Sequence, residues 1–582
     1  MTGIHRLAAG WRQLAFLLLA LLAAPPLEAQ QADLIVTGAR VWTGDPAAPW
    51  ARALAIARGR LIVVGSIAEA MRHRTAATRM LAADDAFVMP GFIDNHTHFE
   101  RAGALLLGVN LLDVADETGL VRRVRQARDR LPPGAWLLGG DWGAYEDWAL
   151  GSSGQPAGGR AADRFAPQRA MIDSLTPASP VLLNRWDRSQ YLANARALEL
   201  AGLSCADAGV ECVSGLMTGR LSPAAAARVR RVIPPKPLEQ RLVESRAALA
   251  DLASHGVTTI HDNTSPEQLA VFQELRSRRE LTVRVYARPT LDRWAALGAI
   301  GIRHGFGDEW IRIGGLKGFV DGIMGNSSAR FYEPYLTTGE RGSWRDMVSD
   351  PPGMLALLLG ADSTGHWPQV HAIGDEAIDT LLDMFEEVRR RNGPRERRWR
   401  IIHAQVLRDA EVARRMAALG VVAEVQPYHA IDDMRWMEER IGRRARWAYA
   451  FRTLHEAGVT LSFGSDWPGT NASWYPAEPV LGIYAAVTRQ TLDGRPDAGW
   501  FPEERIDVET ALRAYTVNNA WAADELDAKG SLTAGKLADV VILDRDPFTA
   551  QPSELKDVRV LITIVGGRII FDREGVAGTD PD

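Results

Sequence analysis

Two histidines one residue apart, His96 and His98, close the apolar run "VMPGFIDNHTHFE" at residues 88–100. Histidine is scarce in this chain, at 12 of 582 residues, so the pairing invites a chemical explanation. Alternate side chains of a strand point to one side, so an HxH pair at a strand end can hold one ion. Imidazole is also the commonest transition-metal ligand. Other apolar runs far along the chain carry polar groups at or near their ends: Lys317 in "GGLKGF", His371 in "PQVHAIGD", His403 in "WRIIHAQV" and Asp466 in "GVTLSFGSDWP". HxH alone is weak evidence for metal. The coincidence with four further strand ends makes a centre of one or two divalent ions the expectation, with zinc the ion best suited to imidazole and carboxylate. Lys317 has two readings. It is either a solvated or ion-paired lysine near Asp321, or a neutral amine to which CO2 adds, giving an anionic carbamate able to bridge two ions. Asp466 is the candidate general base, taking a proton from an activated water; its alternative is a helix cap after Ser465.

These residues form a constellation only if the fold gathers them. Apolar, β-branched runs recur at "FVMPGFID" and at 256–262, 282–289, 310–322, 368–375, 399–406, 420–427 and 458–468. Helix-forming stretches separate most of them, among them Glu376 to Arg391, Asp409 to Leu419 and Arg446 to Ala457. Eight strands alternating with helices predict an α/β fold, a (β/α)8 TIM barrel whose active site lies at the carboxyl ends of the strands. Between Ile93 and Val257 lie roughly 160 residues, too many for a βα connection. They predict an inserted cap subdomain at about 100–250. Gly-punctuated, strand-rich segments at 30–88 and 527–577 predict a composite β-sandwich built from both chain ends, leaving 89–526 for the barrel.

Residues 1–29 read as a signal peptide. Arg6 and Arg12 precede "LAFLLLALLAA", which is too short for a comfortable span, and Ala29 offers a cleavage point. The expectation is a periplasmic or secreted protein with no membrane contact after cleavage. Cys205 and Cys212 fit a local disulfide in that setting, with two free thiols as the alternative. A net charge of -5 argues against a nucleic-acid partner, and "RVRRVIPPK" and "RRRNGPRERRWR" read as solvated helix faces and loops. The expected partner is a small molecule, and a homodimer stays open. With 18 tryptophans the chain can line an apolar pocket, for which Trp142, Trp148, Trp186 and Trp467 are candidates, with His429 as a further substrate contact. His261 reads as structural, His366 as a surface residue and Asp375 as a helix cap. Asp94 either orients an imidazole or supports the turn.

The set "PGFIDNHTH", "LKGFVDG", "VHAIGD", "IIHAQ" and "FGSDWP" resembles the amidohydrolase superfamily, in its family 3 branch of N-substituted formamide deformylase-like proteins. The likeness extends over most of residues 32 to 575. It implies a distorted barrel, a metal centre and hydrolysis of an amide or other C–N bond in a small N-acyl, N-formyl or peptide-like compound. It further implies that His96, His98 and Asp466 hold one metal and His371 and His403 the other, with carbamylated Lys317 between them. Asp466 would also pass a proton to the departing amine. Related proteins often carry histidine where Ser189 stands, which separates this chain from family expectations about substrate. A lactonase, esterase or deaminase on the same fold, and a non-catalytic binding or regulatory protein, are the alternatives.

Overall fold

The computed structural model describes residues 30–143, 165–349, 353–469, 474–573 and 575. The expected signal peptide at 1–29 and Trp148 lie outside the described residues. No helix among the described residues is long and apolar enough to cross a membrane.

The two ends of the chain meet in one eight-stranded sheet. The join is the antiparallel pairing of Val540–Leu543 with Phe87–Pro90. The sheet branches at Leu34–Trp42, whose first half pairs with Arg79–Ala82 and whose second half pairs with Phe87–Pro90. Period-two alternation sends Leu34, Val36, Leu54 and Ile56 to one apolar cluster and Ile35, Ala53 and Ala55 to another. Phe87–Pro90 runs almost directly into Phe92–Thr97, the strand that ends at the histidine pair. The terminal sheet thereby anchors the first strand of the centre.

Two parallel sheets follow in the middle of the chain. One contains Phe92–Thr97, Val257–Asp262, Arg284–Ala287 and Ile311–Ile313, with a two-residue antiparallel edge at Phe306–Gly307. The other contains Leu316–Phe319, Pro368–Ala372, Arg400–His403, Val422–Val425 and Leu461–Phe463. The stretch 310–322, expected as one strand, is thus two. Gly314 and Gly315 separate them, because Tyr286 and Gln369 press so close there that a Cβ would lie 2.1 and 2.2 Å from their side chains. Single parallel bridges, Thr290 to Lys317 and Thr97 to Trp467, link the two sheets.

The helices between strands show why the strands hold their places. Asp375–Asn392 buries Ile378, Leu381, Leu382, Phe385 and Val388, an apolar stripe at helical spacing. Asp375 and Glu376 sit in its first turn and Arg389, Arg390 and Arg391 in its last, as the helix dipole favours. Phe385 stacks on Trp399 at 4.6 Å, beside the strand that ends at His403. Its N-cap is Gly374 rather than Asp375, whose carboxylate accepts from the Tyr332 and Glu376 amides. The stretch 446–457 is shorter in helix than expected: a 3-10 turn ends at Trp447 and the helix proper is Phe451–Glu456.

Residues between the first two strands build a six-stranded sheet flanked by helices. Cys205 and Cys212 are disulfide-bonded beside its edge strand Val210–Val213. The arginine-rich 389–400 stretch is solvated as expected at Arg389, Arg390, Arg391 and Arg395, but not at its far end. Arg397 pairs with buried Asp362 at 2.7 Å, and Arg400 is fully buried.

Candidate metal centre

His96, His98 and Asp466 come together as the spacing anticipates. The Asp466 Oδ1 lies 3.3 Å from His96 Nε2 and 3.1 Å from His98 Nε2. Each of the three offers a donor atom within 4.8 Å of the others, and the same holds for His403, His429 and Asp466. Asp466 therefore joins two ligand triads. Two imidazoles and a carboxylate are a suitable donor set for a zinc-like divalent ion, and a shared carboxylate can serve a second ion beside it. Lys317 and His371 line the same cavity, of about 430 Å³. His371 packs edge-on against His403 with ring centroids 4.5 Å apart.

The second nitrogen of four of these imidazoles is occupied, which fixes where the lone pair points. His96 Nδ1 lies 2.9 Å from Glu424 Oε1, and His403 Nδ1 lies 2.7 Å from Gln426 Oε1. Both rings donate from Nδ1 and present Nε2 as the ligand atom. His371 Nε2 donates to the Gly322 carbonyl at 2.9 Å, and His429 Nε2 donates to the Ser465 carbonyl at 3.3 Å, leaving Nδ1 in each. Burial pushes His96, His371 and His403 well below the ordinary histidine value, so they are neutral, as ligands must be. Burial alone would raise the Asp466 carboxyl. His96, His98 and His403 outweigh it and hold the group well below its usual range.

Backbone geometry aims these groups. Asp466 and His403 have φ of +59° and +76°, in the left-handed region that non-glycine residues seldom enter. Gly464 admits the close approach of the first strand to the last: a Cβ there would lie 2.2 Å from Asn95 Oδ1. Asp94 supports this junction and touches no imidazole nitrogen. Its carboxylate accepts from the backbone amides of His96 and Ser465 and from the Ser465 hydroxyl.

Beneath the centre lies a fully buried ionic network that sequence reasoning missed. Glu424 accepts from Arg288 Nη1 at 2.6 Å and Arg400 Nη1 at 3.0 Å as well as from His96. Burial would raise Glu424, but the two guanidiniums and His96 hold it well below its ordinary value. The signal was a charged residue inside the apolar strand "GVVAEVQP". Asn263 is a second omission; its Nδ2 lies 3.2 Å from His96 Nε2 and 3.4 Å from His98 Nε2.

Lys317 is 2% exposed and has no carboxylate within salt-bridge distance among the described residues. The pairing with Asp321 is absent; that carboxylate accepts instead from the amides of Arg330, Ile373 and Gly374. Burial, aided by Arg288, brings the Lys317 amine down to about 7.

Of the proposed substrate contacts, Trp186 and His429 line the cavity. Trp142 and Trp467 do not. Trp142 packs in the core of the inserted segment with Val181 and Leu183, and Trp467 is fully buried in the main core. An indole buries a large apolar area, and packing claims it first. His261 is structural, with Nδ1 2.8 Å from Arg400 Nη1. His366 is fully buried rather than superficial, with Nδ1 3.0 Å from the Thr364 hydroxyl. Ser189 is exposed and bonds Asp187, its neighbour in the loop that brings Trp186 and Arg188 to the cavity.

Residues 79–571 match the model of the amidohydrolase family. The chain is 33% identical over 564 residues to Protein LONG AFTER FAR-RED 3 of Arabidopsis thaliana, covering 93% of this chain and 92% of that one. It is 26% identical over 587 residues to N-substituted formamide deformylase of Arthrobacter pascens, covering 94% and 99%. Among solved structures, an uncharacterized metal-dependent hydrolase from Pyrococcus furiosus superposes with a TM-score of 0.70 at 27% identity, covering 89% of this chain and all of that one.

Proposed function

The chain belongs to the amidohydrolase family, and from that membership and the geometry of the centre we propose that it hydrolyses an amide or related C–N bond in a small acyl compound. Its relatives and structural neighbours support a metal-dependent hydrolase as the general class. The observation that carries the finer reading is the double role of Asp466, which reaches both histidine triads and is the carboxylate nearest the donor nitrogens. We read the two parallel sheets as halves of one distorted barrel, closed by the bridges at Thr97 and Thr290.

His96, His98 and Asp466 would hold one divalent ion, and His371 and His403 a second, with His429 a further donor on that side. When bound, such an ion supplies Lewis acidity toward a carbonyl oxygen and makes water acidic enough to yield hydroxide near neutral pH. Asp466 is ionised and can take the water's proton at Oδ1 and pass it to the departing amine. Lys317 supplies a neutral amine at about pH 7, the form that adds CO2; its carbamate would contribute the anionic oxygens that the lysine itself lacks. Trp186, from the inserted segment, lines the cavity and would help to limit water there. Zinc is the expected ion, a small molecule the expected partner, and the periplasm or exterior the expected location.

The test pairs elemental analysis of the purified protein with a hydrolysis screen over N-acyl amino acids, N-formyl amines, dipeptides and lactones. Metal retention with cleavage of at least one amide class is the expected result. Cleavage of lactones alone would overturn the C–N reading, and a metal-free protein active on amides would overturn the metal centre.

A further inference from the structure

The cavity contains a carboxyl group that hydrolysis does not use. Asp433 ends the helix Pro427–Asp433, four residues after His429. That spacing puts both on one face, about 6 Å apart along the axis. Both line the cavity. Asp433 is only 5% exposed. Its Oδ2 accepts from the Tyr449 hydroxyl at 2.5 Å and from Gln405 Nε2 at 2.7 Å. Tyr449 and Gln405 are themselves buried, so these bonds fix the plane of the carboxyl. Oδ1 has neither hydrogen-bond donor nor ion-pair partner among the described residues. Arg440, whose charge reaches Asp433, directs Nη1 at the carbonyls of Met324 and Gly325.

A carboxylate taken out of water without a counter-ion is unfavourable, and proteins retain one where a ligand completes it. Burial pushes this group up to about 7, as expected for a site awaiting its cation. Trp436, Phe319 and Ile323 line the same cavity, as do Arg101, Arg188 and Arg345. Arg440 lies over the Trp436 ring at 4.4 Å and Lys317 over the Phe319 ring at 4.7 Å, so Asp433 is the group left to receive the charge of an organic cation and Ile323 offers apolar surface beside it. We propose that Asp433 binds a protonated amine of the substrate, which makes the substrates acyl compounds carrying an ammonium a few bonds from the scissile carbonyl. The short span from His429 to Asp433 sets that separation. The inference rests on the reading of this cavity as the substrate site.

The test measures binding of phenethylammonium and of its neutral counterpart phenethyl alcohol to the metal-loaded protein at pH 8 by titration calorimetry. Wild type, Asp433→Asn and Tyr449→Phe are compared, and a thermal melt of each confirms folding. Phenethylammonium is expected to bind wild type about tenfold more tightly than the alcohol, and to weaken by about tenfold in Asp433→Asn. Tyr449→Phe keeps the ring packing but loses one anchor, so it should weaken the ammonium by a smaller factor. The alcohol should not distinguish the three proteins. Equal affinity of wild type for both probes overturns the proposal even if Asp433→Asn fails to fold, and so does undiminished ammonium binding in a folded Asp433→Asn. In turnover, an aminoacyl anilide should show a raised KM in Asp433→Asn while its des-amino analogue keeps its KM. Ammonium binding through Asp433 with no amide cleaved would defeat the hydrolase reading and leave this one standing. Active hydrolysis with equal KM for the two anilides would do the reverse.

Discussion

Replacing Glu424 by glutamine removes the charge that two buried guanidiniums share. Arg288, Arg400 and Glu424 are all fully buried, so water cannot take over the lost partner. Breaking a buried pair in this way costs about 3–5 kcal/mol of folding stability. Glutamine can still offer an oxygen to His96 Nδ1, so the effect on the centre is smaller. Loss of such a supporting partner lowers metal affinity roughly 10–100-fold, about 1.4–2.7 kcal/mol. The order of magnitudes makes stability the first thing to measure, by urea unfolding of chelator-stripped protein, followed by competitive metal titration. A cycle with Arg400→Met isolates the charge. The only carboxylate within salt-bridge distance of Arg400 among the described residues is Glu424, so the two substitutions should couple by roughly 1–3 kcal/mol. Glu424→Gln within about 1 kcal/mol of wild type, with additive effects in the cycle, would refute the claim that this carboxylate holds the layer beneath the histidines.

Asp466→Asn should lower kcat about 10²–10⁴-fold, while the histidines and the amide oxygen left at this position keep enough metal for elemental analysis to detect. Lys317→Ala should lose activity and metal stoichiometry, with partial rescue of rate by short carboxylic acids added to the assay. Asp433 has a folded pKa raised by burial to about 7, so its contribution to stability is lost as pH rises from the unfolded value near 4 through 7. Asp433→Asn should therefore gain stability relative to wild type between pH 4 and 8 in urea unfolding. Cys205→Ser opens a small ring in the inserted segment, so it should cost at most about 2–3 kcal/mol, read as faster proteolysis near residue 205 with the main melting transition unmoved.

What was legible in the sequence, and what was not, follows from what strands and burial do. His96, His98, His371, His403 and Asp466 were readable because each interrupts or ends an apolar run, and a parallel strand points its carboxyl end toward the ligand side of the sheet. The same rule, applied one step further, would have found Glu424. A carboxylate inside "GVVAEVQP" has no solvent to face, so it must be paired, and Arg288 and Arg400 were the cations within reach. Arg400 was hidden by its neighbours. The run "RRRNGPRERRWR" looks uniformly solvated as composition, but its last arginine opens the strand Arg400–His403, which is buried on both faces and so takes Arg400 inward. Asp433 was hidden for a different reason. Its neighbourhood reads as an ordinary polar helix, and its isolation is created only when Tyr449 and Gln405 close on one oxygen and leave the other without a partner among the described residues. The tryptophans failed in the opposite direction: a residue type that can line a pocket is consumed first by the core, as Trp142 and Trp467 were. Local pattern therefore identifies the groups that do chemistry at strand ends. The groups that hold them are defined by which partner is missing, and that is decided only when distant segments pack.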